Sequence, residues 1–347
     1  MTALTGVELP QARPPVRRSR RVAALSIVVA VLVVAIASSL MIGANPLSPQ
    51  VVWAAIRGEG TTETTYIVIG LRIPRTVAGL VAGAALGVAG ALTQAFTRNP
   101  LADPGILGVN AGAALAVALG VALLGLRDIS ALVWLALLGA FVVTIAVYLI
   151  GSSGRGAADP LRLTLAGVAL GAVFSGITTG MTLSNPDAFD AMRSWNAGSL
   201  LGRGFEVIVP VLPFIALGLA LAFLVGPAMN ALALGEDVAR AQGADVRRIR
   251  VAVIVSTTLL AGAATALVGP IAFVGLMIPH IVRWVFGVDQ RTIIALSALL
   301  APVLVLLSDV LGRVIIAPAE VPVGIVTAFV GAPVLIVLAR RKRASTL

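Results

Sequence analysis

Three observations predict an all-α polytopic membrane protein with about ten transmembrane helices. Of 347 residues, 59% are hydrophobic and only 12% are charged, about half the charged share of a soluble domain. The apolar residues gather into runs of about 20, the length that spans a hydrocarbon layer ~30 Å thick. Prolines, arginines and short polar stretches separate those runs. Spread over a globule, such a composition would expose large apolar patches, so soluble enzymes, nucleic-acid binders and disordered chains are excluded.

The elements follow in chain order. Residues 1–21 form a proline- and arginine-rich arm ending Arg17-Arg18-Ser19-Arg20-Arg21. The apolar run from Val22 to Gly43 exceeds the 7–15 residues of a cleaved signal peptide, so it reads as an uncleaved first helix. Further spans are predicted at 73–97, 106–125, 130–150, 161–183, 207–225, 249–268, 270–286, 292–312 and 321–339. Pro270 and Pro279 interrupt one of them, which reads as a full crossing or as a broken, re-entrant helix. The whole is one transmembrane domain over 22–339, with a cytoplasmic loop at 226–249 and a basic tail at 340–347.

Ten crossings put both termini on one side. Placing them inside leaves 18 Lys and Arg in cytoplasmic connections and seven outside: Arg57, Arg72, Arg75, Arg127, Arg193, Arg203 and Arg313. That asymmetry obeys the positive-inside rule for a multi-pass protein of the cell (plasma or inner) membrane. The net charge of +10 is then mainly a topology signature.

Small residues mark packing faces. The second helix carries Gly79, Gly83 and Gly87 at four-residue spacing, and the fifth carries Gly167/Gly171 and Gly176/Gly180. Apolar side chains gain little by leaving lipid for one another, so close backbone approach drives association. An echo of Val81-Ala82-Gly83-Ala84-Ala85-Leu86 in Leu260-Ala261-Gly262-Ala263-Ala264-Thr265 suggests that helices 2–5 and 7–10 are inverted repeats, a layout found among transporters.

Chemistry is restricted by what is missing. There is no cysteine, one lysine (Lys342) and one histidine (His280), so thiolate chemistry and zinc–cysteine sites are excluded. The lysine follows no glycine-rich loop, so the chain carries no P-loop of its own. No row of carboxylates crosses the membrane, which disfavours an ion-coupled pump. Asp309 and Arg313, four residues apart, can pair on one helix face as a structural pair or a functional one. His280 reads as a packed histidine. Within the cytoplasmic connection Met229–Asp245, a short helix is read between Gly235 and Gly243, with Glu236 and Asp237 at its amino end.

Several blocks resemble the FecCD-type permease family of ABC importers: Arg72-Ile73-Pro74-Arg75-Thr76-Val77-Ala78-Gly79, the stretch Arg98-Asn99-Pro100-Leu101-Ala102-Asp103-Pro104-Gly105 through Gly112, Leu234-Gly235-Glu236, Gly269-Pro270 through Pro279-His280, Asp309 through Arg313, and Gly331-Ala332-Pro333. Arg162–Gly167 and Arg193–Leu200 look most like the ferric-enterobactin members. The resemblance implies a permease subunit of an ATP-driven importer of iron(III)–siderophore complexes. It implies a second permease subunit (a heterodimer favoured over a homodimer), two separate ATPase subunits and an extracytoplasmic substrate-binding protein. It also implies that the permease is no enzyme and holds no cofactor or metal of its own. The loop with Leu234, Gly235, Glu236, Ala239 and Gly243 would be the coupling helix that meets the ATPase. Arg72, Arg75 and Arg313 would receive acidic residues of the binding protein; the alternative is that Arg72 and Arg75 only anchor the second helix at the headgroups. A permease for cobalamin or haem would share these motifs, and an ion-coupled secondary transporter is the rival mechanism.

Overall fold

The computed structural model describes residues 18–153 and 160–340, and every regular element among them is helical. The amino arm to residue 17, Arg155 and the tail from residue 341 lie outside the described residues. α1 (Arg18–Met41) is followed by two short helices, α2 (Pro49–Ile56) and α3 (Thr62–Thr65). A π-helical turn at Tyr66–Arg72 leads into α4 (Ile73–Thr97). A loop with one 3₁₀ turn, Pro104–Leu107, precedes α5 (Val109–Leu124), α6 (Ile129–Ser152) and α7 (Pro160–Ser184). Then come α8 (Pro186–Asn196), α9 (Phe205–Ala233), α10 (Glu236–Ala241), α11 (Val246–Val268), α12 (Val274–Phe286), α13 (Gln290–Ile315) and α14 (Val323–Arg340).

Among the described residues, seven helices are long and apolar enough to cross a membrane, and three shorter apolar ones, Val109–Leu124, Val274–Phe286 and Val323–Val337, lie between or after them. Two ends of the bundle are defined by contacts. One gathers the end of α1, the starts of α4 and α14 and the end of α13, and is called the Arg75 end. The other gathers the ends of α4 and α9 with the start of α13, and is called the α10 end.

α4 and α11 form the buried centre. The glycine face of α4 behaves as its spacing predicts. Gly79 faces Leu306, Gly83 the backbone of Pro302, and Gly87 Ala301 and Ser297, all on α13. Further along, Gly90 lies directly against the backbone of Gly275 at the start of α12, where no side chain fits. The α7 glycines divide. Gly167 abuts the Ile106 carbonyl, but Gly176 and Gly180 face open space, on a helix whose Val173, Ile177 and Leu183 are also exposed. That half of α7 lies on a face the chain itself leaves uncovered.

The proline-interrupted segment at 270–286 breaks at its first proline. Residues 269–273 are not helical, and Phe273 adopts a left-handed φ of 69°. α12 then runs straight through Pro279. Its 13 residues reach only about 20 Å, too short to span alone. The irregular stretch is tolerated because its surroundings are protein: Gly269 N donates to the Thr265 carbonyl at 2.8 Å, the Phe273 carbonyl accepts from Met277 N at 2.7 Å, and Gly198 and Gly324 pack against the Pro270 carbonyl. Buried backbone inside a membrane protein needs such partners. α9 extends to Ala233 and α11 starts at Val246, so the loop read at 226–249 carries helix at both its ends.

Candidate functional site

Two clusters gather the charged side chains, one at each end. At the Arg75 end, α4 contributes Arg72 and Arg75, α13 contributes Asp309 and Arg313, and the loop before α14 contributes Glu320. Asp309 is the centre of this group, its side chain 1% exposed. Arg75 grips it with a two-pronged fork, Nη2 to Oδ1 at 2.7 Å and Nε to Oδ2 at 3.0 Å. From its own helix, Arg313 Nε reaches Asp309 Oδ2 at 2.9 Å. Arg75 Nη1 also donates to Glu320 Oε2 at 2.8 Å. Bidentate guanidinium–carboxylate pairs are the strongest of their kind, and a buried carboxylate needs such company.

The same arginines close the end of α1. Arg313 Nη1 donates to the Ser39 and Ile42 carbonyls at 2.8 and 3.2 Å. Arg72 donates to the Leu40 and Asn45 carbonyls at 2.7 and 2.5 Å. The last carbonyls of a helix have no partner within it, and cations are favoured there by its dipole. Ser39 Oγ and Thr76 Oγ1 join the network at 2.8 Å. Arg72, Arg75 and Arg313, which the sequence offered as docking arginines, line a cleft at this end while making these bonds. The structure brings Asp309 and Arg313 together.

Arg72, Arg75, Arg313 and Glu320 line a cleft of about 400 Å³, to which Arg203 and Glu206 also contribute. Arg203 lies between α8 and α9, and its Nε makes a long 3.4 Å bond to the Ser199 carbonyl. Burial pushes this guanidinium below its ordinary pKa. No motif flagged Arg203; its loop joins the cleft only in three dimensions.

At the α10 end, the short helix forms as its sequence suggested. Gly235, at φ 120°, turns the chain out of α9 in a conformation that a β-carbon disfavours. Gly243 N then closes the helix on the Arg240 carbonyl at 2.9 Å. Leu234 is exposed and Ala239 fully buried. Glu236 accepts from Arg240 at 3.2 Å and pairs with Arg250 of α11, fastening α10 to the bundle. Nearby, Gln94 is fully buried, donates to the Gly275 and Leu276 carbonyls at 3.2 and 2.9 Å, and accepts from Arg283 at 3.1 Å. His280 is buried beside them. Among the described residues, no group of three or more His, Asp or Glu could hold a metal ion.

Residues 31–341 match the FecCD transport family, nearly the whole length of the bundle just described. The chain belongs to that family. Among FecCD relatives, the Escherichia coli (strain K12) ferric enterobactin transport system permease protein FepD is 49% identical over 311 residues, covering 90% of this chain and 93% of the relative. The FepG permease of the same system is 36% identical over 313 residues, covering 90% and 94%. A solved structure classed as a metal-chelate type ABC transporter in an inward-facing conformation superposes with a TM-score of 0.81 at 28% identity, covering 91% of this chain and 98% of that one. Like those FecCD proteins, the chain is a multi-pass membrane protein with the architecture of a permease.

Proposed function

We propose that the chain is the permease subunit of an ATP-driven importer that moves iron(III)–siderophore complexes into the cytoplasm. The observation that carries this reading is the 49% identity to a ferric enterobactin permease along 90% of the chain. The α10 end is cytoplasmic in this reading, which agrees with the placement of positive charge. There α10 meets an ATPase subunit, with Leu234 exposed for contact, Ala239 seated in the bundle, and Gly235 and Gly243 setting the helix's exit and return. The Arg75 end faces outward, and an extracytoplasmic binding protein sits over its cleft. Arg72, Arg75 and Arg313 take part by forming the cleft's wall.

Two ATPase subunits and a second permease complete the assembly. The uncovered face of α7 around Gly176 and Gly180 fits a second permease, with the cargo path between the two. A paired FepD and FepG in one system favours a heterodimer. Nucleotide binding pushes on α10, and the two permeases alternate between outward and inward access. The iron travels as cargo, and the permease itself performs no covalent step.

Proteoliposomes holding the permease pair and its ATPases test the reading. Uptake of iron(III)–siderophore should require internal ATP and the external binding protein. Uptake that persists without ATPase and ATP would overturn it, as would selective uptake of cobalamin or haem in place of the iron chelate.

A further inference from the structure

α9 is weakened just before it reaches α10. Pro227 lies inside it, so the backbone bond from residue 227 to the carbonyl four positions back is missing, and the helix bends most easily there. The stretch of α9 beyond that proline leads through Gly235 into α10. Two clasps hold this stretch. Arg98, at the end of α4, donates from Nη2 to the Leu232 carbonyl at 3.0 Å. Asn230 reaches α13 instead. Its Nδ2 donates to Asp289 Oδ1 at 2.8 Å, and its Oδ1 accepts from Gln290 N at 2.8 Å. A side-chain amide suits this place because it donates to the carboxylate and accepts from the N–H at once. Gln290 is buried, and the first N–H groups of a helix have no partner within it. Asp289 uses its other oxygen to cap α13, accepting from Thr292 N at 3.0 Å. One turn earlier on α9, Gly226 faces Ile294 and Arg291 of α13, so the two helices are close where Asn230 joins them.

We propose that Asn230 is a positioning residue for transport: it yokes the end of α9 to the start of α13, so that a push on α10 moves α13 instead of bending α9 at Pro227. The inference rests on the importer reading above and assigns the transmission step to a residue outside the recognised motifs. α13 is placed to receive the push. It runs from Gln290 to Ile315, and its far end carries Asp309 and Arg313, which hold α4 and the end of α1. The clasp from Arg98 uses a backbone carbonyl, which any residue at position 232 would supply. The clasp from Asn230 uses its own side chain for both bonds, so substitution there reads out the join directly.

The test measures iron(III)–siderophore uptake and ATP hydrolysis together in proteoliposomes of the permease–ATPase assembly with its binding protein. Their ratio does not depend on how much protein folds. Asn230→Asp sets a second carboxylate against Asp289 and should lower uptake per ATP about fivefold, within the range by which changes along a chain of contacts alter coupling. Adding Asp289→Asn rebuilds the pair with donor and acceptor exchanged, and leaves an oxygen each for Gln290 N and Thr292 N. The ratio should then return to within about twofold of wild type. Asn230→Ala loses both bonds without repulsion and should lower the ratio about threefold; it and the double variant carry the test if Asn230→Asp fails to assemble. A wild-type ratio in Asn230→Asp or Asn230→Ala overturns the assignment. So does a double variant as poor as Asn230→Asp, because the pairing is then not what matters. A lowered melting temperature with an unchanged ratio also overturns it, leaving Asn230 a brace. If wild type shows no ATP-driven uptake, the importer reading falls; if wild type transports and Asn230→Asp keeps its ratio, only Asn230 falls.

Discussion

Asp309 has a role quite different from that of a free surface carboxylate. It pairs with two arginines from two helices while its own side chain is 1% exposed, so removing its charge strands Arg313 and leaves Arg75 with Glu320 alone. Asp309→Asn should cost about 3–5 kcal/mol, the range for breaking one side of a buried pair, read as a lowered unfolding temperature in detergent. A change no larger than for an exposed pair would show the network to be solvated. Asp289 gives the pH-dependent counterpart. Although burial opposes its charge, hydrogen bonds from Thr292 and Asn230 hold its pKa below the ordinary carboxylate range. Its ionised form therefore stabilises the fold above the ordinary value near 4, and that contribution is lost as pH falls through the lowered folded value. Asp289→Asn should flatten the loss of stability below about pH 4 in melting curves taken across acid pH; an unchanged acid limb would count against it.

At the scale of elements, the packing rests on places where backbones touch. Gly90 against Gly275 joins α4 to α12, and Gln94, one turn on, bonds the same stretch of α12. Gly90→Leu should drive the two helices apart and sharply reduce the yield of folded protein, measured by monodisperse elution; normal yield would mean the helices can slide. This scale also shows what the sequence can and cannot tell. The face of Gly79, Gly83 and Gly87 was readable because its partner, α13, needs only to be flat and close. The i,i+4 pair of Asp309 and Arg313 was readable from spacing on one helix. The fork from Arg75 to Asp309 spans 234 positions, and no local pattern carries that distance. The π-helical turn at Tyr66–Arg72 and the surface helix α8 went unread because neither bears a membrane-length apolar run.

For the whole molecule, the two charged clusters stand at opposite ends of one packed bundle, and each is tied to helices that cross it. Glu236 is the fastening at the α10 end. Glu236→Gln weakens its grip on Arg240 and Arg250, so ATP hydrolysis by the assembled importer should continue while chelate uptake falls several-fold. Hydrolysis and uptake measured together in proteoliposomes decide this, and unchanged coupling would remove Glu236 from the transmission path. The general outline, an all-helical membrane permease with a short capped helix at one end, was legible because lipid imposes simple rules on length and charge. The partners of Arg72 and Arg313 were not, because both donate to carbonyls at the end of α1, which the chain order places far from Arg313.

The clasp on α1 has a consequence for how the protein is made. The first helix leaves the ribosome long before Arg313, which lies 274 residues after the Ser39 carbonyl it holds. Until α13 is synthesised, α1 is held at its carbonyl end only from α4, by Arg72 and the Ser39–Thr76 hydroxyl bond, and most of its length is uncovered by the chain. The helix that enters the membrane first is thus among the last to be locked in place, and a nascent chain stalled before residue 313 should leave α1 open to proteolysis.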